Sequence, residues 1–344
     1  MSERIIKVGE LNPGKLNHIC DVKGVLVGHK TLIAEDGIRT GVTAILPHKE
    51  NVYLNKVIAS SYVMNGYGKS VGLMQIDELG TIETPIMLTN TLAVGKVSDS
   101  LVRILIDENP ELGLSLGTVN PIVLECNDGK LNNIRKIAVT FEDVKEAITS
   151  ANTNNFQGSI GAGAGMICHG LKGGIGSSSR EIVIDDKTYT LGVLINSNFG
   201  HSSSKDLIVN GKPIGKEIQK ESSKGEEDKG SIIVVVATDI GLDNNSLRRI
   251  VKRAGIAIGR TGSYVGHGSG DVFVGFTTAN TISATDDASF ITQNVLSQKH
   301  LNLLFQAVVE ATEEAIYNSM LYSPEVKGYL RSVKSLNNWI KYLK

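Results

Sequence analysis

Residues 231 to 239 read SIIVVVATD, and Gly230 stands directly before them. The five β-branched residues Ile232 to Val236 are too short a run for a buried helix and predict a strand that is buried on both faces. The preceding stretch, Lys216 to Lys229, reads KEIQKESSKGEEDK and holds almost nothing to bury, which predicts a flexible surface loop. A serine therefore stands where a loop becomes a central strand.

The junction of Gly230 and Ser231 has two interpretations. A Gly-Ser pair often does no more than begin a strand. Alternatively, Ser231 is a nucleophile that a cut in the loop exposes, because an N-terminal residue carries its own base in its α-amine. Such an amine titrates near ~7.7 to 8, so a useful fraction is neutral at physiological pH. The same hydroxyl can make the cut by attacking the Gly230 carbonyl, since glycine tolerates strained dihedrals and leaves its carbonyl open to approach.

The bulk composition is that of an ordinary globular chain, with 344 residues, 21% of them charged, and a formal net charge of -1. It favours neither nucleic acid nor a membrane surface as a partner. The three cysteines lie far apart without metal-ligand spacing, so we expect no disulfide framework, no metal site and a reducing, cytoplasmic location. The amino terminus lacks an apolar signal region, and no apolar run approaches 18 residues, so neither a signal peptide nor a membrane span is expected.

Strand and helix patterns alternate along the chain, which predicts an α/β fold. No internal repeat and no domain linker interrupts them, so residues 1–344 are expected to form a single domain. Short apolar runs predict strands at 18–30, 39–48, 121–125, 189–200, 231–239 and 271–279, with further short strands and tight turns within 62–95. Apolar residues at helical spacing predict helices at 98–109, 141–151, 243–254 and 302–320.

The 37 glycines cluster in turns and raise the question of nucleotide binding. No GxGxxG pattern is completed, and GYGKS at 66–70 is not a phosphate loop because Val63 stands where its first glycine is required. GLSLG at 113–117 lies between a predicted helix and a strand, so Ser115 is interpreted as a turn or strand serine. We therefore expect no nucleotide, metal or other cofactor.

Several residues elsewhere in the chain could serve a nucleophile at Ser231. Ser269 and Asp271 lie two apart at the head of a predicted strand, so their side chains point to one side and could relay a proton and orient an amine. Asn198, which follows an apolar strand, is a candidate amide donor to an oxyanion. Lys172, in a glycine-rich loop, could lower the pKa of the amine by like-charge proximity. Taken singly, each of these also has a plain interpretation as a turn or solvated residue.

Six sequence motifs that occur in order resemble one enzyme family. They are ICDVKGVLVGH, RTGVTAILP, ELGTIETPIMLTNTLAVG, GLKGGIGSSSR, GSIIVVVATD and RTGSYVGHGSGDVFVGF. The family is that of the serine aminopeptidases, which includes the L-aminopeptidase/D-esterase and the β-aminopeptidases and has the nylon-oligomer hydrolases as relatives. The resemblance covers most of the chain from about residue 16 to 318.

The resemblance implies a fold and a maturation step. The fold is a four-layer αββα sandwich, similar to that of N-terminal nucleophile hydrolases but differently connected. The implied precursor cuts itself between Gly230 and Ser231 into a large chain, 1–230, and a small chain, 231–344. The two chains stay together, and the resemblance suggests a homo-oligomer, specifically a tetramer.

By position, Ser231 resembles the nucleophile of the family. Ser269 and Asp271, 38 and 40 residues further on, match its downstream hydroxyl and acid. Asn198 resembles its oxyanion amide, and Lys172 resembles a lysine found near the site in some relatives.

Two positions depart from the family pattern. Asp271 stands where the aminopeptidases carry Glu and the nylon-oligomer hydrolases carry Asp, and the loss of one methylene shortens the reach of the acid. Asn127 stands where relatives carry an aromatic residue that lines the oxyanion site. Together with Gly268, it marks the expected vicinity of the substrate.

The sequence thus predicts a self-processing hydrolase that releases a small N-terminal residue from short peptides, amides or esters through an acyl-Ser231 intermediate. Asp271 keeps open an endo-acting amidase for ω-amino-acid oligomers. Asn127 and the charged loop before Gly230 keep open a non-processing relative that binds a small ligand.

Overall fold

The structure is a computed structural model that describes residues 6–154, 156–219, 230–286 and 288–343. The strands within these ranges are β1 (Leu26–Ala34), β2 (Ile38–Leu46), β3 (Asn55–Gly66), β4 (Thr81–Ile82), β5 (Ile86–Asn90), β6 (Ile122–Cys126), β7 (Ile167–Cys168), β8 (Leu171–Lys172), β9 (Gly174–Ile184), β10 (Lys187–Asn198), β11 (Ser231–Thr238), β12 (Gly270–Ser283), β13 (Val326–Lys327) and β14 (Ser332–Val333). The helices are α1 (Leu73–Leu79), α2 (Val94–Glu108), α3 (Phe141–Thr149), α4 (Gly215–Gln219), α5 (Asn244–Val251), α6 (Ala254–Arg260) and α7 (Leu301–Leu321).

Two main sheets organise the described part of the chain. The smaller has the strand order β1-β2-β5-β6, and the larger has the order β4-β3-β12-β11-β10-β9. Strand β11 lies inside the larger sheet, where it pairs antiparallel with β10 and parallel with β12. The short pairs β7–β8 and β13–β14 each form a separate two-stranded sheet.

Apolar side chains fill the spaces between four layers. Val97 of α2 and Val144 of α3 pack with Val42 of the smaller sheet. A second apolar core joins the two sheets, and a third joins the larger sheet to α5, α6 and α7. The layer order is therefore helices, sheet, sheet, helices, which confirms the predicted αββα sandwich.

The alternation of side chains along β11 explains its composition. Ile232, Val234 and Val236 pack in the core on the helix side, whereas Ile233 and Val235 pack between the two sheets. Successive side chains of a strand point to opposite faces, and both faces of this one are covered. Each buried Ile or Val contributes about 1.5–3 kcal/mol. The predicted strand is thus confirmed, and it begins at the predicted Ser231.

Two predicted elements begin elsewhere. Helix α2 begins at Val94 instead of near residue 98, because Asn90 accepts hydrogen bonds from Leu92 N and Ala93 N and so starts a 3₁₀ turn that leads directly into the helix. The first strand begins at Leu26, after a separate 3₁₀ turn at 19–21. The structure also contains α1, within a stretch predicted to hold strands and turns.

The stretch 216–229, predicted as a flexible loop with almost nothing to bury, begins within a helix. Lys216 lies in helix α4, and Ile218 of the same helix is buried against the core of the larger sheet. The prediction of a flexible loop is therefore wrong for residues 216–219, because Ile218 anchors this short helix. The remainder of the predicted loop, 220–229, lies outside the described residues.

None of the helices in the described ranges is both long enough and apolar enough to span a membrane.

Candidate active site

Ser231 occupies the first position of β11, between two neighbouring strands. Asn198, the last residue of β10, is its antiparallel partner, and Gly270, the first residue of β12, is its parallel partner. Adjacent strands lie about 4.8 Å apart. The sheet register therefore places Ser231 beside Asn198 on one side and beside the flanks of Gly270 on the other. Its exposed fraction is only 6%.

Ser269 and Asp271 flank Gly270 and are joined to each other. The Ser269 hydroxyl donates to Asp271 Oδ1 at 2.8 Å, and both side chains are buried. This pair is the hydroxyl and carboxylate that the sequence predicts on one side of the strand. Because β11 and β12 are parallel and in register, the pair lies at the level of Ser231.

The turn before β12 is held from β3. Asn65 Nδ2 donates to Ser269 O, and it also donates to Gly266 O at 3.2 Å. Gly268 lies within this turn, which is closed by Ser269 N donating to Gly266 O at 2.9 Å. The turn fixes the backbone on which Ser269 is mounted, and Gly268 contributes through its backbone only.

The bond before Ser231 lies in a closely packed backbone environment. Gly270 N donates to the Gly230 carbonyl oxygen at 3.1 Å. A Cβ added to Gly230 would lie 1.9 Å from Asn198 O, so only glycine fits at this position. A Cβ added to Gly270 would lie 2.6 Å from Tyr67 O and 3.3 Å from Ser231 Oγ. Both glycines thus permit close approach at the bond that the sequence predicts to be cut.

The Asn198 amide has a fixed orientation. Its Oδ1 accepts from Ile167 N at 2.9 Å, and its Nδ2 donates to Asn127 O at 3.0 Å. An amide NH₂ group carries two donors, and the contacts of the described residues use one of them. Asn198 is therefore held so that its second N–H can serve a neighbouring oxygen.

Asn127 acts through its backbone in this arrangement. Its carbonyl accepts from Asn198, whereas its own side-chain Oδ1 accepts from Gly129 N at 2.9 Å and closes a turn. The Asn127 side chain is exposed and bonded within its own loop. The structure thus shows Asn127 as the residue that orients Asn198.

Lys172 is completely buried below the glycine-rich loop. Its Nζ donates to Gly163 O at 2.9 Å and to Gly173 O at 2.7 Å. Burial, and secondarily the positive charge of Arg39, lower the pKa of the Lys172 ammonium to about 7. Lys172 holds this loop together, and the structure shows it bonded to backbone carbonyls rather than to Ser231.

Asp128 is a titratable residue of this region that sequence patterns do not reveal. It follows Asn127, is buried, and accepts from Asn132 Nδ2 at 3.0 Å. Burial raises the pKa of Asp128 to about 7, although hydrogen bonds from Thr40 and Asn132 act in the opposite direction. A single Asp in the loop text ECNDG carries no signal of burial, which depends on packing against Gly165.

A cavity of about 190 Å³ opens beside Gly230. Its lining includes Asn198 and Asn127, together with the cationic side chains of Lys130 and Arg331. The site therefore combines a hydroxyl, a hydroxyl–carboxylate pair, a fixed amide and a small adjoining space. These groups can carry out acyl transfer with serine as the nucleophile.

The layered fold, with a serine at the head of a central strand, defines the class of hydrolases related to the N-terminal nucleophile fold. Comparison with known proteins narrows the class. The sequence model described as Peptidase family S58 matches residues 17–333. The chain belongs to peptidase family S58 and is a hydrolase.

Two curated relatives are both described as beta-peptidyl aminopeptidase BapA. The chain is 37% identical to that of Sphingosinicella microcystinivorans over 340 residues, which cover 92% of this chain and 84% of the relative. It is 36% identical to that of Sphingosinicella xenopeptidilytica, with 93% and 84% covered.

Solved structures show the same relationship. A Pyrococcus horikoshii protein superposes with a TM-score of 0.94 at 45% identity, covering 98% of this chain and 97% of that one. A Burkholderia sp. beta-aminopeptidase gives 0.90 at 36% identity, covering 96% and 94%. The L-aminopeptidase D-Ala-esterase/amidase of Ochrobactrum anthropi, described as a prototype for the serine aminopeptidases and a new variant of the Ntn hydrolase fold, gives 0.90 at 31% identity, covering 98% and 96%.

Proposed function

We propose that this chain is a self-processing serine aminopeptidase that cuts its own bond before Ser231 and then uses Ser231 as its nucleophile. The observation that carries the proposal is the position of Ser231 between the fixed amide of Asn198 and the hydrogen-bonded pair Ser269–Asp271. Family membership supports it, because the curated relatives are aminopeptidases.

The self-cut begins with the Ser231 hydroxyl. Its oxygen adds to the Gly230 carbonyl carbon, and the negative charge that forms on the carbonyl oxygen is stabilised by Gly270 N–H, which already donates to that oxygen. The C–N bond breaks, the nitrogen takes the proton that the Ser231 hydroxyl gives up, and an ester joins Gly230 to Ser231 Oγ. Water hydrolyses the ester and leaves a free α-amine on chain 231–344 and a carboxylate at the end of chain 1–230.

Turnover uses the amine released by the cut. The neutral α-amine accepts the proton of Ser231 Oγ while the oxygen attacks the substrate carbonyl. The second N–H of Asn198 donates to the oxyanion, and the leaving amine takes the proton. Water then hydrolyses the acyl-Ser231 ester. Ser269 and Asp271 hold the α-amine in position, and Lys172, which is bonded to the carbonyls of Gly163 and Gly173, lowers the pKa of this amine only through its charge when it is protonated.

The small cavity and the relatives together support exo action on short substrates. A space of about 190 Å³ suits a small residue, and the named relatives act as aminopeptidases, or as an esterase and amidase, by their descriptions. The comparisons do not favour an endo-acting amidase or a non-processing ligand-binding protein. We also place the enzyme in the cytoplasm as a homo-oligomer, with a tetramer as the expectation from the family resemblance.

A denaturing gel of purified wild-type protein tests the first step. We expect two fragments, with Edman sequencing of the smaller one reading Ser-Ile-Ile-Val. Ser231→Ala should stay full length and should not hydrolyse an aminoacyl anilide, whereas Ser115→Ala, at the exposed serine of the GLSLG turn, should be cut and active. A wild type that stays uncut, or a Ser231→Ala variant that still hydrolyses the anilide, would overturn the proposal.

A further inference from the structure

The cavity beside Gly230 has a positively charged mouth. Lys130, from the loop after β6, and Arg331, from the β13–β14 hairpin, both line it. Among the described residues, no acidic side chain contributes to the lining. The net charge of the whole chain is only -1, so this concentration of positive charge is local.

The two cations are held by one hydrogen-bonded assembly. Leu330 N donates to Lys130 O at 3.0 Å, and Tyr329 N donates to Leu131 O at 2.9 Å, so the hairpin is bonded to the loop that carries Lys130. Gly328 N donates to Arg331 O at 3.0 Å and closes the hairpin. The chain thus holds residues 130 and 331 at one edge of the cavity although they are far apart in sequence.

Apolar packing fixes the same assembly. Leu131 is completely buried against Val326 and Val333 of the hairpin, with Ile167 beside them. A Cβ added to Gly328 would lie 2.5 Å from the Leu131 side chain, so the hairpin sits directly on this leucine. The backbone positions that carry Lys130 and Arg331 are therefore set before any substrate binds.

The charges of this pair are not used inside the described structure. Lys30, Lys56 and Lys136 each form an ion pair with a carboxylate, whereas neither Lys130 nor Arg331 forms one with a described residue. The nearest acidic neighbour along the chain, Asp128, is buried against Gly165 and bonded to Asn132. In the uncut chain these two cations converge on a cavity whose described lining holds no carboxylate, and such a pair is suited to bind an anion.

We propose that Lys130 and Arg331 bind a carboxylate of the substrate, so that the enzyme prefers short peptides that carry one over matched neutral amides. The inference rests on the proposed function and adds a substrate class to it. A guanidinium binds a carboxylate through two parallel N–H donors, and an ammonium adds a point charge.

The carboxylate can come from either end of a short peptide. It is the C-terminal carboxylate of the released product when the substrate is a dipeptide, or the acidic side chain of the N-terminal residue. Two substrate pairs distinguish these sources. The first is a dipeptide acid and its C-terminal amide, and the second is an aspartyl anilide and an asparaginyl anilide, with an alanyl anilide as the neutral reference.

The single variants Arg331→Gln and Lys130→Gln test the proposal. Each is assayed after a denaturing gel has shown that it is cut as the wild type is. We expect Arg331→Gln to lower kcat/KM for the preferred carboxylate substrate by roughly tenfold and Lys130→Gln by roughly threefold, because both side chains are partly solvated. The alanyl anilide should change by less than about twofold. Arg331→Lys should recover part of the loss, and Lys327→Gln, on the same hairpin but outside the cavity, should match wild type.

Several outcomes would overturn the inference. One is equal kcat/KM for both members of each pair in wild type; another is an equal loss for the carboxylate substrate and the alanyl anilide in both variants, which indicates a structural role. A slower self-cut in both variants would also count against it, since the rim would then serve Gly230 and not a substrate. Wild-type activity on the alanyl anilide without carboxylate preference overturns the inference alone, whereas an inert wild type overturns the proposed function as well.

Discussion

Two buried polar clusters of this chain differ in how their charges are matched. Arg180 of β9 is fully buried, with its Nε 3.2 Å from Glu310 and an Nη 2.8 Å from Glu314, and it also donates to Val8 O at 2.9 Å. Lys172, equally buried, has two backbone carbonyls as its acceptors. One buried cation is thus paired with two carboxylates, and the other is held by neutral groups.

The difference separates a cluster that stabilises the fold, around Arg180, from the candidate site, near which Lys172 lies. Burial raises the pKa of Glu310, but hydrogen bonds from Gln306, from the backbone of residues 10 and 11 and from Arg180 outweigh burial and lower it. That carboxylate therefore stays charged beside Arg180. The pKa of Lys172 and that of Asp128 both lie at about 7, where small changes alter the charge state. Groups whose pKa is shifted in this way are typical of functional sites. The cluster of Arg180 with Glu310 and Glu314, in contrast, joins α7 to β9 and the N-terminal segment.

Removing one hydroxyl of the candidate site, at Ser269, should give the largest effect on activity. Ser269→Ala removes the hydroxyl that donates to Asp271 and so releases the α-amine, and it should lower kcat by up to roughly 10²- to 10⁴-fold, the usual contribution of the proton transfer that the positioned amine performs. The free energy of unfolding should fall by only about 1–2 kcal/mol. Steady-state kinetics and urea unfolding on the same preparation check both, and a stability loss larger than the activity loss would contradict the separation.

Breaking the framework cluster should do the reverse. Arg180→Met leaves Glu310 and Glu314 buried without their cation, which should cost about 3–5 kcal/mol of unfolding free energy. The folded fraction should keep its kcat. Denaturant unfolding measures the loss, and Arg103→Met, at an exposed surface pair, is the control that should change stability by less than about 1 kcal/mol.

A methyl group at the predicted cut should slow processing specifically. Gly230→Ala places a Cβ 1.9 Å from Asn198 O, so the scissile carbonyl must move. Displacement of a reacting group by about 1 Å can cost roughly a hundredfold in rate. A time course of fragment appearance on denaturing gels checks this. Gly117→Ala, where nothing lies within 4 Å of an added Cβ, is the control that should be cut at the wild-type rate.

Two histidines, His18 and His29, should lower the free energy of unfolding as the pH falls below about 6.5. Burial, and secondarily His29, lower the pKa of His18 to about 3, and burial lowers the pKa of His29 to about 4. Both rings are neutral in the fold but bind protons below about 6.5 once unfolded. Their contribution to stability is therefore complete above about pH 6.5 and is lost as the pH falls towards 4, with a slope of up to about 1.4 kcal/mol per pH unit for each ring.

Other groups titrate in the same range, so the measurement needs a reference. Asp128 acts with the opposite sign: its raised pKa favours the fold at low pH and disfavours it as the pH rises through about 7. Comparing urea unfolding of wild type with that of a His18→Asn, His29→Asn double variant between pH 4 and 8 isolates the histidines. An unfolding free energy that depends equally on pH in both proteins would remove them as the cause.

Local patterns predicted the parts of the fold that local physics controls. The β-branched run at 232–236 predicted β11, and apolar residues at helical spacing predicted α3 and α7 to within one or two residues. Local patterns were less successful where contact with another element decides whether a residue is buried. Ile218 looks isolated in a polar stretch, yet it is buried because the core of the larger sheet covers it.

The candidate site divides in the same way. Ser269 and Asp271 lie two residues apart at the start of β12, so their spacing alone indicated that they act together. Their position beside Ser231 depends on the parallel register of β11 and β12, which no local pattern contains. Asp128 and the pair Lys130–Arg331 were not predicted, because burial and proximity between distant segments depend on how the loops pack.

The sequence by itself determined the central strand, the serine at its head and the chemical types of the surrounding groups, because these depend on side-chain chemistry and short-range periodicity. Only the tertiary structure decided that Gly230 has no room for a Cβ, that Asn198 is held by Asn127, and that a cationic mouth opens beside the cut. These features arise from strand register and layer packing, which bring together residues as far apart along the chain as Lys130 and Arg331.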